Sequence, residues 1–320
     1  MSEIPFRRPV VIAGGLHPRQ RDGAREFIRA LNAPVYAEPL SGLREHADLR
    51  DLLITAGDRM IARGRFDGVV RIGNVPTLRF WRDLDESMKH LPVLNFSESR
   101  FAGLSRGDVQ PIHLLPEVSA RARDEAFFET DRELAAKLAR ILDDEPMSEL
   151  ALLRDFSGRL PASARVYLGN SLPIREWDLV ATRDGAFEYE ANRGANGIDG
   201  QLSTFFGWCV AGGYNVAVLG DLTTLYDMNA PWIVHQLDAA IDFTIVIINN
   251  GGGRIFSRVP SLRKVDRRLM ANEHDVSFER WAAMWGLAYN DQSAPRSVIE
   301  LRPDQAASDR VWKRYDELWS

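Results

Sequence analysis

Val218-Leu219-Gly220-Asp221-Leu222-Thr223-Thr224-Leu225-Tyr226-Asp227-Met228-Asn229 is an apolar run that stops at a glycine and a carboxylate. A second apolar run, Phe243 to Ile248, stops at Asn249-Asn250 and continues as Gly251-Gly252-Gly253-Arg254-Ile255-Phe256. Both runs read as buried strands. Residues 223–248, 26 in all, separate Leu222 from Asn249, which leaves room for one helix and the next strand. In an open α/β sheet, ligands sit outside the carboxyl ends of the strands. An aspartate at such an end can hold Mg²⁺, which takes oxygen ligands, and the Asn250 amide oxygen and Gly252 carbonyl can complete the set. One carboxylate and two neutral oxygens leave the cation a net positive charge, which suits an anion such as a diphosphate. The helix expected over Asp227–Leu237 would turn its N-terminus to the same spot. The plainer reading of Gly220-Asp221 alone is a helix cap or turn.

The rest of the chain repeats this rhythm. Pro9–Ala13, Pro34–Ala37, Asp67–Asn74 and Pro92–Glu98 read as strands. Helical stretches lie around Phe27, Ile28 and Leu31, over Asp51–Gly64 and over Leu78–Met88. Residues 117–146 are charged and helix-prone and end at Glu145-Pro146, which reads as a connector. Strands are expected again over Ala164–Asn170, Ala186–Gly194, Tyr214–Asp221, Asp242–Asn250 and Ser297–Pro303, with helices between them. The expected architecture is α/β: two parallel-sheet, three-layer domains, with a first domain over 1–116, the connector over 117–146 and a second domain over 147–320.

Composition narrows the function classes. The 320 residues are 45% apolar and 27% charged, with a net charge of −5. No basic run interleaves with aromatics, which argues against nucleic acid. No apolar stretch is long enough to span a bilayer, and the N-terminus lacks a signal-like apolar core. A cytoplasmic protein is the default expectation. The one cysteine, Cys209, sits among aromatics and reads as a buried filler. Six histidines form no spaced ligand motif, which argues against zinc. Gly14-Gly15 makes no dinucleotide fingerprint, so neither flavin nor nicotinamide is expected.

Four segments of the second domain carry a resemblance: Gly169-Asn170-Ser171-Leu172-Pro173-Ile174-Arg175, Asn192–Thr204 (with Gly194-Ala195-Asn196-Gly197-Ile198-Asp199-Gly200 at its centre), Gly220–Ala230 and Asn249–Ser257. Gly-Asp, a spacer in the mid-twenties and Asn-Asn resemble the thiamine diphosphate signature. The signature's third residue is usually glycine; here it is Leu222. A leucine there resembles the 2-succinyl-5-enolpyruvyl-6-hydroxy-3-cyclohexene-1-carboxylate synthases of menaquinone biosynthesis. The resemblance runs, more loosely, through residues 8–115 as that family's middle domain, so the second domain would be its diphosphate-binding fold.

The resemblance implies thiamine diphosphate with Mg²⁺ (or Mn²⁺), the metal held by Asp221, Asn250 and the Gly252 carbonyl. Gly220, Asp221, Leu222, Thr223 and Asn250 would hold the cofactor, with Ile198 beneath it as an apolar prop and Ile255 and Phe256 as cavity walls. Ile198, Ile255 and Phe256 read equally well as ordinary core residues. Ser171, Arg175 and Arg193 would face the substrates, 2-oxoglutarate and isochorismate, whose carboxylates suit the planar arginine fork. For Arg175 a solvated helix residue paired with a neighbour is the plainer reading. In Gly73-Asn74-Val75-Pro76-Thr77-Leu78-Arg79, Arg79 stands where the family has a lysine, and Leu78 departs from the pattern. The family's pyrimidine-binding domain supplies an activating glutamate that no motif assigns here. A separate chain carrying that domain is the implied partner, in a homo- or hetero-oligomer. Alternatives are another thiamine diphosphate carboligase or 2-oxoacid decarboxylase subunit, or a non-catalytic cofactor-binding remnant.

Overall fold

The computed structural model describes residues 3–194, 197–258, 266 and 270–320. They pack as two compact units, one running to Ile141 and joined by Tyr315–Ser320, the other Leu142–Arg314.

The first unit carries β1 (Pro9–Ala13), β2 (Val35–Ala37), β3 (Gly68–Ile72), β4 (Val93–Phe96) and β5 (Val109–Gln110), in the order β2-β1-β3-β4-β5. Every pairing is parallel. Strands of such a sheet are covered on both faces, so Pro-Val-Val-Ile-Ala and Gly-Val-Val-Arg-Ile are buried throughout. Helix α1 (Pro18–Leu31) opens with a capping box. The His17 side chain accepts from Arg19 N, and Gln20 Oε1 accepts from His17 N. Ala24, Phe27, Ile28 and Leu31 form its buried stripe.

Two helices expected in this unit are much shorter. Asp51–Gly64 contains only a 3₁₀ helix, Asp58–Arg63. Gly57 stands at φ 106°, a conformation closed to most side chains, and Thr55 N and Ala56 N donate to the buried Asp131 carboxylate instead of to a helix. Helix α2 covers only Arg79–Asp83. The charged stretch 117–146 contains α3 (Glu125–Asp144), whose Phe127, Phe128, Leu134, Leu138 and Ile141 are buried. Its buried stripe makes it part of a core rather than a solvated tether, and most of it lies in the first unit.

The second unit carries α4 (Glu149–Gly158), β6 (Arg165–Leu168), α5 (Leu172–Val180), β7 (Glu188–Glu190), α6 (Gln201–Trp208), β8 (Asn215–Gly220), α7 (Asp221–Tyr226), β9 (Phe243–Ile248), β10 (Ala288–Tyr289) and β11 (Arg296–Leu301). The sheet is again parallel, in the order β10-β11-β9-β8-β6-β7. Phe205, Phe206 and Phe243 pack edge to face over its centre, with Phe205–Phe243 centroids 6.2 Å apart. Cys209 is half-buried, and burial pushes its thiol up to about 12.

The helix expected over Asp227–Leu237 is not where the first helical turn begins. Helix α7 starts at Asp221 itself and ends at Tyr226. A separate 3₁₀ helix follows over Ala230–Gln236, with Pro231 in its first turn. The N-terminus beside the Gly220-Asp221 end therefore belongs to α7. No helix among the described residues is long and apolar enough to cross a membrane.

Candidate cofactor and cation site

β8 and β9 are hydrogen-bonded neighbours, in register from Asn215↔Phe243 to Gly220↔Ile248. The chain therefore leaves both strands at the same level, and Asp221 comes to lie beside the turn that follows Ile248. Asp221 is buried. Its Oδ2 accepts from Gly251 N at 2.8 Å and from Gly252 N at 2.9 Å, while Oδ1 accepts from Leu222 N at 2.6 Å. His274 Nε2 lies 3.3 Å from the same Oδ2. His274 Nδ1 accepts from Val276 N, which leaves Nε2 as the ring nitrogen that carries a proton on the side of the carboxylate. Burial holds the Asp221 pKa above the ordinary carboxylate range, opposed by the backbone N–H groups of Gly252, Leu222 and Gly251 and by His274.

The two asparagines do different work. Asn249 Nδ2 donates to Glu300 Oε1 at 2.6 Å and to Val276 O at 2.7 Å. The buried Glu300 also accepts from Tyr289 Oη at 2.6 Å and Phe278 N at 3.1 Å. Burial acts to raise its pKa, but the Tyr289, Asn249 and Phe278 donors outweigh it and the net shift is downward. Asn250 Nδ2 donates to Glu149 Oε1 at 2.9 Å. A carboxylate partner fixes which end of the amide is nitrogen. Asn250 Oδ1 is thus left buried with no hydrogen-bond partner. A buried acceptor in that state is costly unless something meets it.

The glycines that follow are required by space. Gly251 and Gly252 stand at φ 78° and 131°, and a Cβ on Gly252 would lie 2.5 Å from Ala271 O. The Gly252 carbonyl accepts from Arg254 N at 2.8 Å, which leaves one lone pair. Among the described residues no group of three His, Cys, Asp or Glu side chains is placed to hold a metal ion. A cation here would rest on one carboxylate, one amide and one peptide oxygen. That set fits Mg²⁺ when a ligand supplies further oxygens, and the unpartnered Asn250 Oδ1 is the observation that matches it.

The other expected residues lie at neighbouring strand ends. Pro173, in the first turn of α5, approaches Gly220, whose added Cβ would stand 3.8 Å from its Cγ. Ser171 caps α5 at φ 76° and is half-buried. Arg193 Nη1 donates to Asn170 Oδ1 at 2.6 Å. Asn170 is buried and joins three loops, because its Nδ2 donates to Asn192 O and Gly197 O, each at 2.8 Å. Asn170 N donates to the buried Gln201 side chain at 2.8 Å. Ile198 and Ile255 are half-buried, Leu222 likewise, and Thr223 is buried. Phe256 and Arg175 are exposed. Ala195 and Asn196 lie outside the described residues. In the first unit Thr77 N and Oγ1 both donate to Glu38 Oε1 at 2.6 Å, and Arg79 pairs with Asp83 at 2.8 Å.

Sequence reasoning missed Asn170, Gln201, Glu149, His274 and Glu300. Asn170 and Gln201 lie within segments that carry the resemblance, where only their neighbours are expected to face a ligand. Glu149 and Glu300 reach the site from 101 and 51 residues away in the chain, and no local pattern marks them.

Two parallel-sheet α/β units, the second gathering a buried aspartate and an Asn-Asn-Gly-Gly turn at adjacent strand ends, have the architecture of thiamine diphosphate-dependent enzymes. The chain is, more narrowly, a homologue of the 2-succinyl-5-enolpyruvyl-6-hydroxy-3-cyclohexene-1-carboxylate synthases. It is 40% identical to the one from Bdellovibrio bacteriovorus over 99% of this chain and 63% of that protein. Identity to the Akkermansia muciniphila synthase is 33%, over 94% of this chain and 60% of that protein. For Geobacillus thermodenitrificans the values are 31%, 94% and 55%. The chain thus spans under two thirds of the length of these relatives. No family model matches it.

Proposed function

We propose that this chain forms the middle and diphosphate-binding part of a thiamine diphosphate-dependent synthase of menaquinone biosynthesis, one that decarboxylates 2-oxoglutarate and adds the succinyl unit to isochorismate. The observation that carries the reading is the buried Asp221 carboxylate bonded to the Gly251-Gly252 turn, which directly follows an Asn250 whose buried amide oxygen has no hydrogen-bond partner. When bound, thiamine diphosphate would supply an electron sink at the 2-oxo carbon itself, where loss of the carboxylate leaves an electron pair.

The chain's own residues do the holding. Asp221, Asn250 Oδ1 and the Gly252 carbonyl bind the Mg²⁺ (or Mn²⁺) that neutralises the diphosphate. Glu149 keeps the Asn250 oxygen turned inward by accepting from its nitrogen. Gly220, Leu222 and Thr223 present the start of α7 to the same charge. Ile198 supports the cofactor from below, and Ile255 and Phe256 exclude water. Ser171, Arg175 and Arg193 meet the substrate carboxylates, with Asn170 holding the Arg193 guanidinium in place.

The cofactor's pyrimidine end is received, in this reading, by a domain on a separate chain, within an oligomer. Tyr226, Met228 and Trp232 support it, because they are large, apolar and exposed at the end of α7 and just beyond it. The test is calorimetric. Thiamine diphosphate should bind the chain only with Mg²⁺ present, and Asp221→Ala and Asn250→Ala should each abolish binding. Product should form from both substrates once a pyrimidine-binding domain is added. Cofactor binding that survives Asp221→Ala would reject the site, whereas binding without turnover under any pairing would reject the synthase.

A further inference from the structure

Arg71 lies in the middle of β3, and its side chain is fully buried. Its register partners are Ile12 of β1 and Asn95 of β4, so the three side chains share one face of the first unit's sheet. The guanidinium is held at one end only. Nη1 donates to the carbonyls of Phe101 at 3.3 Å and Ala102 at 3.1 Å. Nε and Nη2 are buried and have no hydrogen-bond partner. Among the described residues no carboxylate forms an ion pair with it. Burial lowers its pKa to about 10, which still leaves it a cation at neutral pH. A buried cation without a counter-charge is strongly disfavoured, and an anion that joined it would relieve that cost.

Two more buried polar atoms are unpartnered beside it. Trp81 Nε1 is one, and the indole ring centre is 5.6 Å from the Arg71 guanidinium carbon. Asn95 Oδ1 is the other, one strand spacing away on the same face. The segment 97–108 covers this face. It is held by Ser105, which donates to Asp85 at 2.7 and 2.8 Å, and by Arg106 Nη2, which donates to Leu84 O at 2.9 Å. The unused atoms have a specific geometry. Nε and Nη2 are the two donors on the long edge of the guanidinium, the edge that matches both oxygens of a carboxylate. The indole N–H adds a third donor. Asn95 Oδ1 adds an acceptor, which a hydroxyl next to the carboxylate would satisfy.

We propose that Arg71, Trp81 and Asn95 form a buried receptor for a small 2-hydroxycarboxylate beneath segment 97–108, separate from the site at Asp221 and Asn250. The fork takes the carboxylate, the indole N–H takes one of its oxygens, and the amide oxygen takes the hydroxyl proton. No covalent step is involved.

Glycolate is the probe, titrated into the whole chain by calorimetry and thermal melting, with sodium chloride at matched ionic strength as the control. Saturable binding is expected, with Tm raised by roughly 3 °C at a tenfold excess over Kd. Acetate, lacking the hydroxyl, should bind about tenfold more weakly. Arg71→Met removes the charge and should abolish the Tm rise. Trp81→Phe keeps the ring and should weaken glycolate about tenfold. Should Arg71→Met fail to fold, the Trp81→Phe titration decides alone. No saturable response, the same response in chloride, acetate as tight as glycolate, or an unchanged Kd in Trp81→Phe would each overturn the assignment.

Discussion

The Asp221 carboxylate grips the backbone of Gly252, 2.9 Å from that residue's nitrogen and 31 residues further along the chain. The same oxygen takes Gly251 N at 2.8 Å. One side chain at the end of β8 thus shapes the turn at the end of β9, before any cation or cofactor is considered. Removing it should cost structure as well as binding. Asp221→Ala leaves the backbone N–H groups of Gly251, Gly252 and Leu222 without this acceptor, and the expected loss is about 2–4 kcal/mol of unfolding free energy. Urea denaturation of the chain without ligands measures it. An unchanged midpoint would mean that the turn is held by other contacts.

The turn also depends on having no side chain at Gly252. Its φ of 131° and the 2.5 Å approach of a Cβ to Ala271 O both oppose substitution. Gly252→Ala should cost roughly 2 kcal/mol or more, whereas Gly158→Ala, on a helix where a Cβ meets nothing within 4 Å, should be neutral or mildly stabilising. Comparing the two denaturation midpoints checks both halves.

Glu300 gives the site a dependence on acid. Its folded pKa is lowered, so its contribution to stability is present above the unfolded carboxylate value and is lost as pH falls through the folded one. Glu300→Gln should therefore be less stable than the parent at pH 7. The gap should shrink as pH drops below about 4.3, the unperturbed glutamate value. Thermal melts between pH 7 and pH 3 read this directly, and a gap that widens on acidification contradicts it.

Asn170 ties the ends of β6 and β7 to the loop at Gly197. Asn170→Ala should lower stability by about 1–3 kcal/mol, because the Asn192 and Gly197 carbonyls and the Arg193 guanidinium lose a partner. If Arg193 meets a substrate carboxylate, the same change should raise the KM for 2-oxoglutarate more than it lowers kcat. A fall in kcat alone would place Arg193 away from ground-state binding.

Much of this architecture could be read from the residues. Pro9–Ala13, Gly68–Ile72, Asn215–Gly220 and Phe243–Ile248 are nearly unbroken apolar runs, the pattern of strands covered on both faces. The two-residue strands Val109–Gln110 and Ala288–Tyr289 escaped, since a strand that short has no period. The helix expected over Asp51–Gly64 failed for a tertiary reason, because Asp131 takes its amides from a distant helix. That Asp221 and Asn250 follow adjacent strands was legible from the two apolar runs and the spacing between them. The amide that orients Arg193 and the carboxylate that orients Asn250 were not, because a contact between distant residues leaves no mark in either local sequence.

The hydrogen bond from Gly251 N to Asp221 bears on the chemical lifetime of the protein. An asparagine followed by glycine ages by attack of the next backbone nitrogen on the side-chain carbonyl, which closes a succinimide and ends in a carboxylate. At Asn250-Gly251 that nitrogen is committed to Asp221 at 2.8 Å, and the amide is pinned by Glu149 at 2.9 Å. The folded chain therefore protects from deamidation a bond where a new negative charge would stand against Glu149.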